Sequence, residues 1–189
     1  MADRLYLSYW LTGFTENNML RFFEKALRLF PVSRLNPNAS TLRITPLNET
    51  EPAIFERAFP PDFAVEHVIA AAREFLHPDS CYEFDTSWDL WQFEEEWRLK
   101  PSRVSLLCFG PEFERDLDEN LRVDFGVDAN FLPHNEAPNA LAMAQSNIRS
   151  LLKFVHEVDD AFGAPRRQLW TESGESFVEG LQRLLTEAG

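Results

Sequence analysis

The chain has no long apolar run. Its longest, residues 68–72 and 140–144, are five residues each, against the roughly 20 that a bilayer-spanning helix needs. A transmembrane helix is therefore excluded. Cysteine is scarce: only Cys81 and Cys108 are present, far apart and without the close-spaced pairing of a zinc site. Each sits in an apolar run, which reads as a buried thiol in a reducing cytoplasm. The seven glycines form no G-x-G and no G-x-x-x-x-G-K, so no phosphate-cradling loop is present. A G-x-S-x-G elbow is missing too, and neither cysteine has a Cys-His signature. Basic residues are few, 18 Lys and Arg against 31 Asp and Glu, for a net charge of −13. Nucleic acid and anionic membranes need the opposite sign, so neither is expected as a partner. The opening Met1-Ala2-Asp3-Arg4 carries an acid where a signal peptide would be basic, and no continuous apolar core follows; a cytoplasmic location is expected.

What is present is aromatic and acidic. Seventeen Phe and five Trp in 189 residues are too many rings for a disordered chain. A chain of this size supports a core of its own without disulfides or a structural metal. No repeat, low-complexity segment or long linker divides it, so a single domain over residues 1–189 is expected. The acidity is uneven. Residues 1–78 carry a net −1, residues 79–136 a net −10 and residues 137–189 a net −2. High net charge keeps a protein soluble; concentrated in one third of the chain, it also suits a face for a basic protein or a cationic ligand.

Periodicity sets the elements. Leu5, Leu7, Tyr9 and Leu11 alternate with Tyr6, Ser8 and Trp10, a central strand. Met19, Phe22, Phe23, Ala26, Leu27 and Phe30 repeat at helical spacing after Thr15, the expected N-cap, and Pro31 ends that helix. Residues 41–45 and 53–59 alternate as two strands of a hairpin. Pro60-Pro61-Asp62 opens a second helix with Val65, Val68, Ile69, Ala72, Phe75 and Leu76 on its apolar stripe. Residues 81–85 make a fourth strand. This order resembles the βαββαβ, ferredoxin-like architecture over roughly residues 4–86. Strands at 104–109 and 121–127 follow, the latter with Leu121, Val123, Phe125 and Val127 inward and Arg122, Asp124 and Asp128 outward. A third helix from Asn139 to Gly163 is expected to bury Leu141, Ala144, Ile148, Leu151, Leu152, Val155, Val158 and Phe162. After a short piece around Leu169-Trp170, a last helix carries Phe177, Val178, Leu181, Leu184 and Leu185 behind a cap at Ser173 or Ser176. The expected fold class is α+β: a mainly antiparallel sheet of about six strands with helices on one face. Its N-terminal part is ferredoxin-like, followed by a β-hairpin and two C-terminal helices.

Two constellations are candidates for chemistry. Asp124 and Asp128, four residues apart on an expected strand, with His134 in the following loop, offer oxygen and imidazole to a divalent ion. Solvated acids at a strand end are the simpler account of the same residues. His67, His77 and His156 form no H-E-x-x-H. The stretch 83–97 holds three of the five tryptophans, Trp88, Trp91 and Trp97, among Glu83, Asp85, Asp89, Glu94, Glu95 and Glu96. It fits strand and helix equally, and its rings serve either as a core cap or as a binding face. Rings among carboxylates bind sugars, or cationic groups by cation-π contact and charge. With no catalytic motif and no cofactor signature, the expected function is non-enzymatic binding of a basic protein partner, as an acidic immunity-type or inhibitor domain would do. Trp88, Trp91, Trp97, Glu94, Glu95 and Glu96 are the candidate binding residues. The alternative is a small-molecule or metal-dependent enzyme built on Asp124, Asp128 and His134.

Overall fold

Seven strands, most of them alternating apolar and polar residues, form one sheet in the computed structural model, which describes residues 3–132, 138–173 and 178–181. In chain order they are β1 (Arg4–Trp10), α1 (Met19–Leu29), β2 (Ser40–Pro46), β3 (Phe55–Phe59), α2 (Val65–Arg73), β4 (Ser80–Phe93), β5 (Trp97–Phe109), β6 (Leu121–Val127), a 3₁₀ turn at Asp128–Phe131, α3 (Ala140–Phe162) and β7 (Arg166–Thr171). The sheet order is β3-β2-β4-β5-β6-β1-β7, and every neighbouring pair is antiparallel. The α+β class is therefore as expected. Among the described residues no helix is long and apolar enough to cross a membrane.

The ferredoxin-like expectation is corrected by this order. In that unit the first strand sits among the strands that follow it; here β1 touches none of β2, β3 and β4 and lies between β6 and β7. A strand has two edges, and both edges of β4 are taken, by β2 over its first half and by β5 along its length. β1 pairs instead with β6 and β7. The sheet also has seven strands where about six were expected, because the piece around Leu169-Trp170 pairs with β1 as β7.

The helices cover one face. Leu7 of β1, Ile44 of β2, Phe84 and Trp88 of β4, Leu106 of β5 and Phe125 of β6 pack there with Phe23 and Leu27 of α1, Val68 and Ala72 of α2, and Leu151, Phe154 and Val155 of α3. The opposite face carries polar rows beside a small apolar cluster of Cys81, Phe109 and Phe113. Pairing lines up Thr41, Asp85, Ser105, Asp124, Tyr6 and Trp170 in one row across it, and its charges are matched within the chain. Arg43 binds Glu83 (3.0 Å) and Glu56 (3.2 Å), Arg103 binds Asp85, and Arg4 binds Asp124.

Three sequence expectations shift by local geometry. Thr15 is not the N-cap of α1; that position is Asn18, whose side chain instead accepts from the Thr15 N–H (2.9 Å) and donates to the Gly13 carbonyl (2.8 Å), folding the preceding turn. In β6 the pattern inverts after Phe125. Gly126 sits at φ 76°, and the register slips between Arg4 and Tyr6 opposite it. One extra residue turns every later side chain to the other face, so Val127 is 42% exposed and Asp128 is 6% exposed, the reverse of the expectation. In α3 the buried stripe runs through Ala140, Ala144, Asn147, Leu151, Phe154, Val155 and Val158. Leu141 is 62% exposed, and Ile148, Leu152 and Phe162 pack only at the margin. Of the last helix, residues 178–181 are helical with Val178 and Leu181 buried; Ser176, Phe177, Leu184 and Leu185 lie outside the described residues.

Cys81 and Cys108 are both buried and unpaired with each other. Cys108 lies in the core under the helices, while Cys81 packs with Phe109 and Phe113 on the far side of the sheet. Burial pushes both thiols up in pKa, which suppresses the reactive thiolate. Native protein is thus expected to react slowly with a thiol reagent and urea-unfolded protein quickly; two fast groups in the native state would contradict this packing.

Burial also raises the phenols. Tyr6 and Tyr82 are each pushed up to about 12, by desolvation first, and Tyr9 is raised as well. An unfolded phenol ionises near ~10, so the native state keeps protons that the unfolded state loses between pH ~10 and ~12, and stability falls as pH rises through that window. Tyrosinate absorbance is expected to appear together with loss of structure. Titration of all three phenols near pH ~10 in a still-folded protein would refute it.

Candidate functional site

The segment 83–97 is strand rather than helix: β4 runs to Phe93, Glu94, Glu95 and Glu96 make the turn, and Trp97 opens β5. β4 and β5 pair without a break from Cys81 with Phe109 to Phe93 with Trp97, closing through Glu94, Glu95 and Glu96. β6 pairs with β5 only at Ser105–Cys108, and β2 pairs with β4 only as far as Asp85. The distal half of the hairpin is therefore an arm that runs past its sheet neighbours.

An arm of this kind leaves a free strand edge, and two devices cover it. The loop after α1 supplies Ser33, whose N–H donates to the Ser87 carbonyl (2.7 Å), and Arg34, whose N–H donates to Asp89 (3.0 Å). Farther along, the Asn147 side chain of α3 accepts from the Trp91 N–H (2.9 Å) and donates to the Trp91 carbonyl (2.9 Å). A primary amide here does the work of a neighbouring strand. Asn147 also donates to the Asn130 carbonyl (2.6 Å), tying arm, 3₁₀ turn and α3 together. The Trp97 indole N–H donates to the Pro138 carbonyl (2.6 Å) just before α3.

The three tryptophans separate. Trp88 is 1% exposed and lies in the core against Phe30, Phe125 and Phe131. Trp91 and Trp97 are half-buried on the arm. Directly opposed residues share a face, so the pairs Trp91 with Leu99 and Phe93 with Trp97 form one aromatic and aliphatic surface, with the Phe93 and Trp97 rings 5.3 Å apart. At its end stand Glu94, Glu95 and Glu96, all exposed. Glu94 pairs with Lys100 (2.6 Å) and Glu96 with Arg98. The Lys100 ammonium holds the Glu94 carboxyl below its ordinary range. A cavity of about 200 Å³ opens here, lined by Trp91, Phe93, Glu94, Trp97, Asn130 and Leu132 among others.

The Asp124, Asp128 and His134 constellation takes another form. Asp124 faces the polar side of the sheet and accepts from Arg4 (3.1 Å) and from the Gly126 N–H (2.9 Å). Asp128, past the bulge, accepts from the Asp3 N–H (3.2 Å) and donates its own N–H to the Asp3 carbonyl (2.8 Å). The two carboxylates thus have separate partners. His134 lies outside the described residues. Among the described residues no group of three His, Cys, Asp or Glu is placed to hold a metal ion.

The candidate binding residues read from the sequence leave out Phe93, Leu99 and Asn147. The first two carried a signal: Trp91-x-Phe93 and Trp97-x-Leu99 are period-two pairs placed symmetrically about three glutamates. Asn147 carried none, because an asparagine on an apolar stripe does not reveal which edge it meets. The acidity of residues 112–119 also becomes local. Glu49, Glu114, Asp116 and Asp118 line an open cleft of about 700 Å³. Its loop is held by the buried Arg115, which donates to the carbonyls of Phe113 (2.7 Å) and Gly110 (3.1 Å), and by the Arg122 pair with fully buried Glu119. Compared with protein-family models, with curated proteins and with solved structures, the chain matches none.

Proposed function

We propose that the chain is a non-enzymatic cytoplasmic binding protein, of the acidic immunity or inhibitor type, whose β4–β5 arm engages a basic protein partner. The observation that carries this reading is the juxtaposition on the arm: Trp91, Phe93, Trp97 and Leu99 on one face, ending at the exposed Glu94, Glu95 and Glu96. Aromatic anchors inside a charged rim are the ordinary anatomy of a protein interface. The arm and the cleft at Glu49, Glu114, Asp116 and Asp118 both present negative charge, which speeds encounter with a cationic partner. Trp88 belongs to the core and leaves the list of binding residues.

The test is affinity capture from the native cell with wild type and with the triple variant Glu94→Lys, Glu95→Lys, Glu96→Lys. These side chains are exposed, so the urea midpoint is expected to stay close to that of wild type. Wild type is expected to retain a basic protein that the variant releases, with an association rate that falls as salt rises. Equal retention by both proteins, or a salt-insensitive rate, would refute the assignment of the arm.

A further inference from the structure

We infer that the cavity beside the arm tip receives a guanidinium group, an arginine side chain carried by the basic partner; this rests on reading the arm as the partner-binding element. Size is the first argument. At about 200 Å³ the cavity falls below the roughly 300–1,000 Å³ of small-molecule sites, and it suits one side chain better than a metabolite. Its walls are the second. Trp91, Phe93 and Trp97 supply ring surface, Glu94 supplies a carboxylate at the rim, and Asn130 supplies polar atoms. Rings attract cations through their quadrupole. Of the two basic side chains, arginine is planar, stacks on rings and sheds water more readily than an ammonium, so an aromatic wall beside a carboxylate selects it.

The chain already places a cation against this carboxylate. Lys100 lies 2.6 Å from one Glu94 oxygen, and the exposure of that pair keeps it weak. A guanidinium can share Glu94 with Lys100 or displace it, at little cost to the fold. Glu94 is the acid that lines this cavity; Glu95 and Glu96 continue the same turn, with Arg98 paired to Glu96.

The experiment is an NMR titration of the full chain, following the indole N–H signals of Trp91 and Trp97 with those of Trp10 and Trp170 as internal controls. The probes are the capped peptides (Gly-Arg)₃, (Gly-Lys)₃ and (Gly-Glu)₃. The arginine peptide is expected to shift the Trp91 and Trp97 signals and leave the controls in place, binding about fivefold more tightly than the lysine peptide. Glu94→Gln is expected to weaken the arginine peptide about threefold or more, and the glutamate peptide is expected to have no effect. Equal binding of the arginine and lysine peptides at the arm would overturn the guanidinium pocket while leaving the arm as a surface for basic partners. Silence of both arm indoles toward both basic peptides would overturn the pocket and the binding reading together. The peptide comparison is made on wild type, so it does not depend on any variant folding.

Discussion

Trp88→Ala is expected to lower the free energy of unfolding by about 3–5 kcal/mol, the usual cost of deleting a buried large aromatic. The ring is 1% exposed and packs against Phe30, Phe125 and Phe131, so its loss opens a cavity where α1, β6 and the 3₁₀ turn meet. Those neighbours sit on separate elements and cannot all collapse inward. The indole N–H of Trp88 has no hydrogen-bond partner among the described residues. Trp88→Phe therefore removes an unpaired buried donor while keeping most of the ring, and is expected to cost less than about 2 kcal/mol. Trp91→Ala, at a half-buried arm position, is also expected to cost less than about 2 kcal/mol. Urea midpoints of the three variants check the assignment. Equal losses for Trp88→Ala and Trp91→Ala would mean that the arm is core and that no aromatic binding surface exists.

Asn147→Leu is expected to cost about 2 kcal/mol or more, because it strands three half-buried polar groups at once, each costing about 1–3 kcal/mol when fully buried and less where water reaches it. The groups are the N–H and carbonyl of Trp91 and the carbonyl of Asn130. Leucine fits the apolar stripe of α3 by pattern alone, so a pattern-based reading would call the change harmless. Asn147→Asp separates shape from hydrogen bonding. An ionised carboxylate still accepts from the Trp91 N–H but cannot donate to either carbonyl, and it is expected to be destabilising as well. Hydrogen exchange at the Trp91 amide gives a second readout: it should accelerate in Asn147→Leu well beyond the change at β1 amides. Wild-type protection at Trp91 in that variant would show that α3 does not hold the arm.

Where side chains repeat along one element, the sequence was easy to read. The stripe of Phe23, Ala26 and Leu27 in α1, the alternation of Leu42 and Ile44 in β2, the termination of α3 at Gly163 and the burial of both cysteines all follow from local spacing. A single inserted residue was enough to defeat that logic. Gly126 lets β6 bulge, and Val127 and Asp128 exchange faces with no change in composition. The candidate site was legible only as a set of residue types. Trp88, Trp91 and Trp97 look alike in a string of letters, yet Trp88 lies in the core while Trp91 and Trp97 stand half-buried on the arm.

The α+β class, the places where most strands and helices form and the net negative charge can be read from the string of residues alone, because they rest on short-range periodicity and on composition. Strand order, the length of the β4–β5 arm, the role of Asn147 and the division of the tryptophans between core and surface were decided by tertiary structure. The physical reason is that each depends on which strand edge is already occupied when another element arrives. β1 lies between β6 and β7, strands formed later in the chain, while β2 and β5 flank β4. Where β2 ends, the exposed edge of β4 is closed by a side-chain amide 56 residues away in the chain, a pairing that no local pattern encodes.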